Sequence, residues 1–210
     1  MPLVKICGIT RPEDAEEAFS LGADFLGLVF AESKRKIDRR RAGRIMEAVP
    51  TFQKFVGVFQ NQPLEIVKNT ALDLGLEYVQ LHGEETSEFC NLLKASGLLI
   101  IKAVHIDERT KITEEMFIPY DAHAYLLDTK VGRRSGGTGK AFNWNLVDPT
   151  ISKKRKIFLS GGLNPENVNN AIDVVRPYAV DVSSGVESEL GTKDFRLVRE
   201  FIKRAKQDIR

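Results

Sequence analysis

Eight short, apolar, β-rich runs recur along the chain, and their starts advance by about 25 residues, roughly one strand-plus-helix unit. They lie at 3–6 (LVKI), 24–30 (DFLGLVF), 54–59 (KFVGVF), 78–81 (YVQL), 98–104 (LLIIKAV), 124–127 (AYLL), 156–159 (KIFL) and 179–182 (AVDV). Most are continuous rather than alternating, as suits strands covered on both faces in a parallel sheet.

Helical patterns fill the gaps. Thr10 and Glu13 read as a capping box before DAEEAFSLG, with Ala15, Ala18 and Phe19 on one face and Gly22 as the stop. PLEIVKNTALDLG spaces Leu64, Val67, Ala71 and Leu74 along one side and ends at Gly75. In LNPENVNNAIDVV, Asn164 reads as the N-cap and Pro165 as the first helical residue. The last helix, DFRLVREFIKRAK, aligns Phe195, Val198, Ile202 and Ala205. No clear helix emerges over 110–123. Residues 129–155 are long and glycine-rich, and read as a mobile loop before a short helix. The expected fold is α/β, a single (β/α)8 TIM barrel, with a doubly wound open sheet as the structural alternative. No linker-like stretch divides the chain, so residues 1–210 read as one domain.

Composition excludes several classes. The 210 residues are 42% hydrophobic and 29% charged, as in a soluble globular protein, and no apolar run is long enough for a membrane span. The N-terminus lacks a signal-peptide pattern, which makes a cytoplasmic protein the default. The two cysteines, Cys7 and Cys90, fit neither a zinc spacing nor a disulfide framework. Cys90, in SEFCNLLKA, reads as a small buried hydrophobe on a helix face. Cys7, in VKICGIT, is open to more readings: core filler, redox thiol or catalytic group. Net charge is only +2, but Lys34, Arg35, Lys36, Arg39, Arg40, Arg41 and Arg44 crowd one stretch, and SKKRK at 152–156 is a second cluster. No aromatic stacking platform accompanies either, so nucleic acid is not the expected partner and solvated faces are the simpler reading.

In a barrel the loops after the strands build the active site, so the residues at the end of each run matter. Cys7 ends the first, and Ser33-Lys34-Arg35 come after the second. Gln60-Asn61, His82-Gly83, His105 and Asp128 come after the third to sixth. Ser160-Gly161-Gly162 and Ser183-Ser184-Gly185 close the seventh and eighth. Together they argue for a polar pocket at one mouth. The last two turns supply glycines and free amides where barrels commonly bind phosphate. Asp128 is expected at the barrel mouth, and His82 in the pocket. GGTGK at 136–140 lacks the Walker spacing. It reads instead as part of a lid hinged at Gly132, Gly136, Gly137 and Gly139, with Lys140 reaching the substrate.

VKICGIT, VQLHGEE, LLDT with GGTGKAFNW after it, LSGGLNPENV and VDVSSGVE occur in an order and spacing that resemble the phosphoribosylanthranilate isomerase family of tryptophan biosynthesis, over residues 4 to 187. The resemblance implies an Amadori rearrangement: the aminoaldose N-(5-phosphoribosyl)anthranilate becomes the aminoketose 1-(2-carboxyphenylamino)-1-deoxyribulose 5-phosphate. It implies Cys7 as general base and Asp128 as general acid. Arg35 would pair with the anthranilate carboxylate, Asp181 would accept from the anthranilate amine, and His82 would line the pocket. Gly161, Gly162, Ser183, Ser184 and Gly185 would cradle the phosphate. No metal or cofactor is implied, and the partner is a small phosphosugar, with a monomer or homodimer both open. The chemistry calls for a Cys7 thiol shifted downward, with Lys5 as one source, and an Asp128 carboxyl shifted upward by partial burial.

Overall fold

The computed structural model describes residues 1–107, 111–131, 134–135 and 142–207. Eight parallel strands form a closed ring: β1 (Leu3–Cys7), β2 (Phe25–Val29), β3 (Phe55–Phe59), β4 (Tyr78–Leu81), β5 (Leu99–Ile106), β6 (Ala124–Val131), β7 (Ile157–Leu159) and β8 (Ala179–Val182). Each strand pairs with its sequence neighbour, and β8 pairs back onto β1 with Lys5 opposite Asp181. The open-sheet alternative is thereby excluded.

Alternate residues face alternate sides. Phe25, Val56, Ile101, Ala124, Leu126 and Phe158 fill the inside of the ring as a cluster of their own. Val4, Ile6, Leu26 and Leu28 point outward into a larger core shared with Ala15, Ala18, Ile45, Val198 and Phe201 of the helical layer. Both faces of the strands are buried, which is why their sequences run apolar without a break.

The outer layer comprises α1 (Pro12–Ser20), α2 (Arg39–Ala48), α3 (Leu64–Asp73), α4 (Ser87–Lys94), α5 (Ile151–Lys154), α6 (Val168–Val175) and α7 (Phe195–Ala205). Several are capped by their own sequence. Asp38 accepts from the Arg41 amide at 2.7 Å, Thr86 from Phe89 at 3.2 Å, and Asp194 from Arg196 at 2.9 Å. Cys90 is fully buried on α4, as its apolar face required.

Two helix starts differ from expectation. The capping box is not made: Arg11 is the N-cap of α1 and Pro12 its first residue, while the Thr10 hydroxyl donates to the Gly191 carbonyl at 2.6 Å. The site ahead of Pro12 already suits a helix start, and Thr10 ties the β1 loop to the far end of the chain instead. α6 begins at Val168 rather than Pro165. Asn164 Oδ1 accepts from the Glu166 and Asn167 amides, each at 3.0 Å, and spends its capping capacity on a tight turn ahead of the helix.

Between β5 and β6 the described residues contain a single 3₁₀ turn, Glu114–Met116, in place of an α-helix, with Phe117 stacked edge-on against Tyr125. Short extra strands appear at two places: Arg134–Ser135 runs antiparallel to the end of β6, and Glu187–Glu189 pairs with Thr192–Lys193. Lys140 and the glycines at 132, 136, 137 and 139 lie outside the described residues. The basic stretch resolves into separate contacts, with Lys36 on Glu32, Arg39 on Asp73 and Arg41 on the Thr10 carbonyl. Among the described residues no helix is long and apolar enough to cross a membrane.

Candidate active site

The C-terminal ends of the strands surround one pocket. Cys7, Arg35, His82, Asp128, Asp181, Ser183 and Ser184 line it, together with Gly161 and Gly162. Gly185 does not reach the pocket wall. It packs behind it, where a Cβ would fall 2.0 Å from the Leu163 carbonyl oxygen.

The strand period places Cys7. Residues 3, 5 and 7 of β1 share the inward face, so the thiol stands at the mouth directly above Lys5. Gly27 is its register partner on β2, and a Cβ there would sit 2.7 Å from the sulfur. Gly27 therefore leaves the volume that the thiol occupies. Gly8 then turns the chain away with φ of 73°, and its bare Cα lets the Arg35 stem pass, since a Cβ would meet Arg35 Cδ at 2.5 Å. Val29, Ala31 and Val58 make an apolar wall beside Cys7. Burial pushes the Cys7 thiol above its ordinary value of 9.0; Lys5 and Lys193 pull it back, while Asp181 adds to the rise. This corrects the expected downward shift: desolvation outweighs the neighbouring ammonium groups.

Beneath the mouth lies a polar layer inside the barrel. The Lys5 ammonium, fully buried, donates to Asp181 Oδ1 and to Gln80 Oε1, each at 2.9 Å. Burial alone would lower the Lys5 pKa, but Asp181 and the Cys7 sulfur more than offset it and hold it above 10.5. Gln80 continues to His82 Nδ1 at 2.8 Å, and His82 Nε2 meets Asp128 Oδ2 at 3.1 Å. The Thr129 amide donates to Asp128 Oδ1 at 2.9 Å. Asp128, 4% exposed, is as buried as expected.

His105 stands opposite Asp128 in the β5–β6 register, with its ring 5.1 Å from that of His82. Its Nε2 contacts the His82 carbonyl at 2.9 Å, and burial lowers its pKa below 6.5, helped by His82. The carbonyl can only accept, so Nε2 carries the hydrogen, and Nδ1 is buried with no hydrogen-bond partner among the described residues. The donor atoms of His82, His105 and Asp128 lie within 4.8 Å of one another, the one such group of three among the described residues. Both His82 nitrogens and both Asp128 oxygens are already engaged with one another or with Gln80 and Thr129, so the cluster is built as a hydrogen-bonded chain.

Arg35 reaches the pocket from the loop after β2. Its Nε and Nη2 form a two-pronged contact with Glu187 at 2.6 and 2.7 Å. Lys193 also binds Glu187, at 3.0 Å, and donates to the Cys7 and Ser183 carbonyls at 2.7 and 3.1 Å. Burial works to raise the Glu187 carboxyl, but Arg35 and Lys193 bring it below its ordinary value. Two cations against one anion leave the group net positive. Glu187 occupies the Nε/Nη2 edge of the guanidinium.

The two glycine turns form another part of the wall, with Ser183 close beside Arg35. The Ser160 amide closes the ladder on the Leu127 carbonyl, and Gly161 and Gly162 come next with φ of 86° and 69°. A Cβ on Gly161 would strike Thr129 Oγ1 at 2.3 Å. Ser183 caps a 3₁₀ turn over Ser184–Val186. Backbone amides at such turns, close to hydroxyls, suit an anion.

Gln80, Glu187 and Lys193 were not foreseen as site residues, and Lys5 only as a neighbour of Cys7. For Lys5 and Gln80 the signal is present: each is a polar residue two positions before a strand-end group, inside an otherwise apolar run, and so shares its inward face. Glu187 and Lys193 carry no such local mark, because Glu187 meets Arg35 across 152 residues and Lys193 meets Glu187 across a hairpin.

A model of the N-(5'phosphoribosyl)anthranilate (PRA) isomerase family matches residues 4–204. An N-(5'-phosphoribosyl)anthranilate isomerase from Thermotoga neapolitana is 50% identical over 207 residues, covering 98% of this chain and 99% of the relative. The crystal structure of phosphoribosyl anthranilate isomerase from Thermotoga maritima superposes with a TM-score of 0.89 at 48% identity, covering 98% of this chain and 99% of that one. A phosphoribosyl anthranilate isomerase in complex with reduced 1-(o-carboxyphenylamino)-1-deoxyribulose 5-phosphate gives a TM-score of 0.84 at 44% identity, with 98% of this chain and 99% of that one covered.

Proposed function

Because this chain belongs to the N-(5'-phosphoribosyl)anthranilate isomerase family, we propose that it converts N-(5'-phosphoribosyl)anthranilate into 1-(2-carboxyphenylamino)-1-deoxyribulose 5-phosphate, a step of tryptophan biosynthesis, with Asp128 as general acid and Cys7 as general base. The observation that carries this reading is the convergence of Cys7 and Asp128 on one pocket whose walls are the two glycine turns and Arg35.

The substrate has two anionic ends. The phosphate fits the amides and hydroxyls of Gly161, Gly162, Ser183 and Ser184, while Gly185 keeps the second turn close to Leu163. The anthranilate carboxylate fits the free end of the Arg35 guanidinium, held in place by Glu187. The amine lies toward Asp181 Oδ2, since Oδ1 is taken by Lys5. The ribose is then held between the thiol and the carboxyl.

Asp128 delivers its proton to the furanose oxygen, and the ring opens to a protonated Schiff base. That cation acidifies C2–H and draws the Cys7 proton equilibrium toward thiolate, offsetting the burial that opposes it. Cys7 removes the C2 proton, and the resulting enolamine tautomerises to the ketone. Apart from the C1–O cleavage that opens the ring, every step is a proton transfer, and the proton gained by Cys7 is balanced by the one Asp128 gives up and must regain before the next turnover.

The test is a fluorescence assay with freshly prepared phosphoribosylanthranilate, whose anthranilate signal decays on conversion. Cys7→Ser and Asp128→Asn should each lose most of kcat, by at least about a hundredfold, with KM little changed. Near-normal turnover in both variants would overturn the assignment of roles, and no decay with the unmodified protein would overturn the activity.

A further inference from the structure

We propose that Lys5 and Gln80 are positioning residues that fix His82 as its neutral Nε2–H tautomer, so that an additional proton taken up by the His82–Asp128 pair rests on Asp128 and not on His82 Nδ1. This rests on the reading of Asp128 as the general acid.

The direction of the hydrogen-bonded chain is set by what each group can do. An ammonium only donates, so the Gln80 atom 2.9 Å from Lys5 Nζ is the carbonyl oxygen. Lys5 cannot turn elsewhere: it is fully buried and also held by Asp181, its register partner on β8. The other end of the amide, the NH₂, therefore faces His82 Nδ1 at 2.8 Å. Nδ1 must accept. The ring hydrogen then sits on Nε2 and donates to Asp128 Oδ2 at 3.1 Å. An amide orientation that is ordinarily ambiguous is settled here by a charge two residues below the thiol.

The consequence concerns where a proton can rest. A proton added to Nδ1 would face the Gln80 NH₂ donor, and two donors would meet head-on. The carboxylate is the acceptor left: each Asp128 oxygen takes one N–H, from His82 and from Thr129, and each retains a further lone pair. The groups around His82 reinforce this. His105 on β5 faces it with its own ring uncharged by burial, and Lys5 lies below Gln80 with its charge matched by Asp181. Lys102 is engaged on the outer side with Glu85 and the Gly83 carbonyl.

The decisive variant is Gln80→Glu, which keeps the acceptor for Lys5 and replaces only the donor that faces Nδ1. Long-range ¹H–¹⁵N spectra of the histidine rings, recorded on the unliganded protein at about pH 7.5, should show His82 with an unprotonated Nδ1 and a protonated Nε2. In Gln80→Glu, Nδ1 should carry a proton. Turnover should fall about tenfold or more with KM little changed, and the same substitution in a His82→Asn background should have no further effect on kcat. A protonated Nδ1 in the unmodified protein would overturn the proposal, whether or not the variant folds. An unchanged kcat in a Gln80→Glu protein whose His82 tautomer has switched would also overturn it. The spectra do not depend on activity, so failure of Asp128 as the acid, read from Asp128→Asn, is a separate result.

Discussion

Cys7, the proposed base, is held in a setting that disfavours the thiolate. Burial raises its thiol, and Lys5 and Lys193 recover only part of the loss. A base that is mostly protonated until substrate arrives is protected from oxidation and from alkylation, both of which need the thiolate. The prediction is that iodoacetamide modifies Cys7 slowly at about pH 7 and about tenfold faster for each pH unit up to about pH 9, because the thiolate fraction grows tenfold per unit below the pKa. Cys90, whose thiol burial pushes up to about 11 and which is fully buried, should remain unmodified. Peptide mapping of the alkylated protein checks both. A plateau in the Cys7 rate below about pH 8 would mean that the neighbouring lysines prevail over burial.

At the scale of elements, the strands both support the site and carry it. Their two-residue period puts Lys5 under Cys7 and Gln80 under His82, and their register puts Gly27 beside the sulfur and Asp181 beside Lys5. Replacing Gly27 by Ala would place a methyl group 2.7 Å from Sγ and 3.0 Å from the Cys7 Cα. One of these atoms must move, and the sulfur is the easier. Gly27→Ala should lower kcat by about tenfold or more while costing about 1–3 kcal/mol of stability, the usual range for overpacking. Steady-state kinetics and urea denaturation separate the two effects, and a wild-type kcat would show that the thiol has room to spare.

Much of this is legible in the chain. Eight apolar runs and the polar group after each lead to a barrel with its pocket at one mouth, because strand spacing and strand ends are local properties. The motifs bring Cys7 and Asp128 forward as a pair. Two kinds of feature are not legible. Thr10 and Asn164 have the right side chains for helix caps but are claimed by a distant carbonyl and by a tight turn, which no local pattern reveals. Glu187 matters through Arg35, a partner 152 residues away, and only the folded hairpin brings them together. The direction of the Cys7 shift escapes for a related reason. Lys5 is visible as a neighbouring charge, but the depth of the thiol and the partner that occupies Lys5 are tertiary facts.

For the whole molecule, the pocket floor trades stability for chemistry. A charged pair inside a barrel stabilises less than well-packed apolar groups would, and removing either partner leaves a buried charge worth about 3–5 kcal/mol of destabilisation. His105 adds a pH dependence. Burial lowers its folded pKa below 6.5, so below that value the unfolded chain takes up a proton that the folded barrel resists. The stability from this source is present above about pH 6.5 and is lost as pH falls through the folded value, at up to about 1.4 kcal/mol per pH unit. His123, shifted the same way by its partial burial and by Lys156, contributes in the same sense. His105→Asn should therefore flatten the decline in urea-derived stability between about pH 6.5 and 5, and an unaltered slope would assign that decline to other groups.

The bond between Lys5 and Asp181 joins residues 176 positions apart, on the first strand and the last. During synthesis Lys5 is made 176 residues ahead of its counter-charge. The ammonium beneath Cys7 gains that partner only where the first strand of the ring meets the last. Turnover by a growing chain would therefore report the pairing of the first strand with the last.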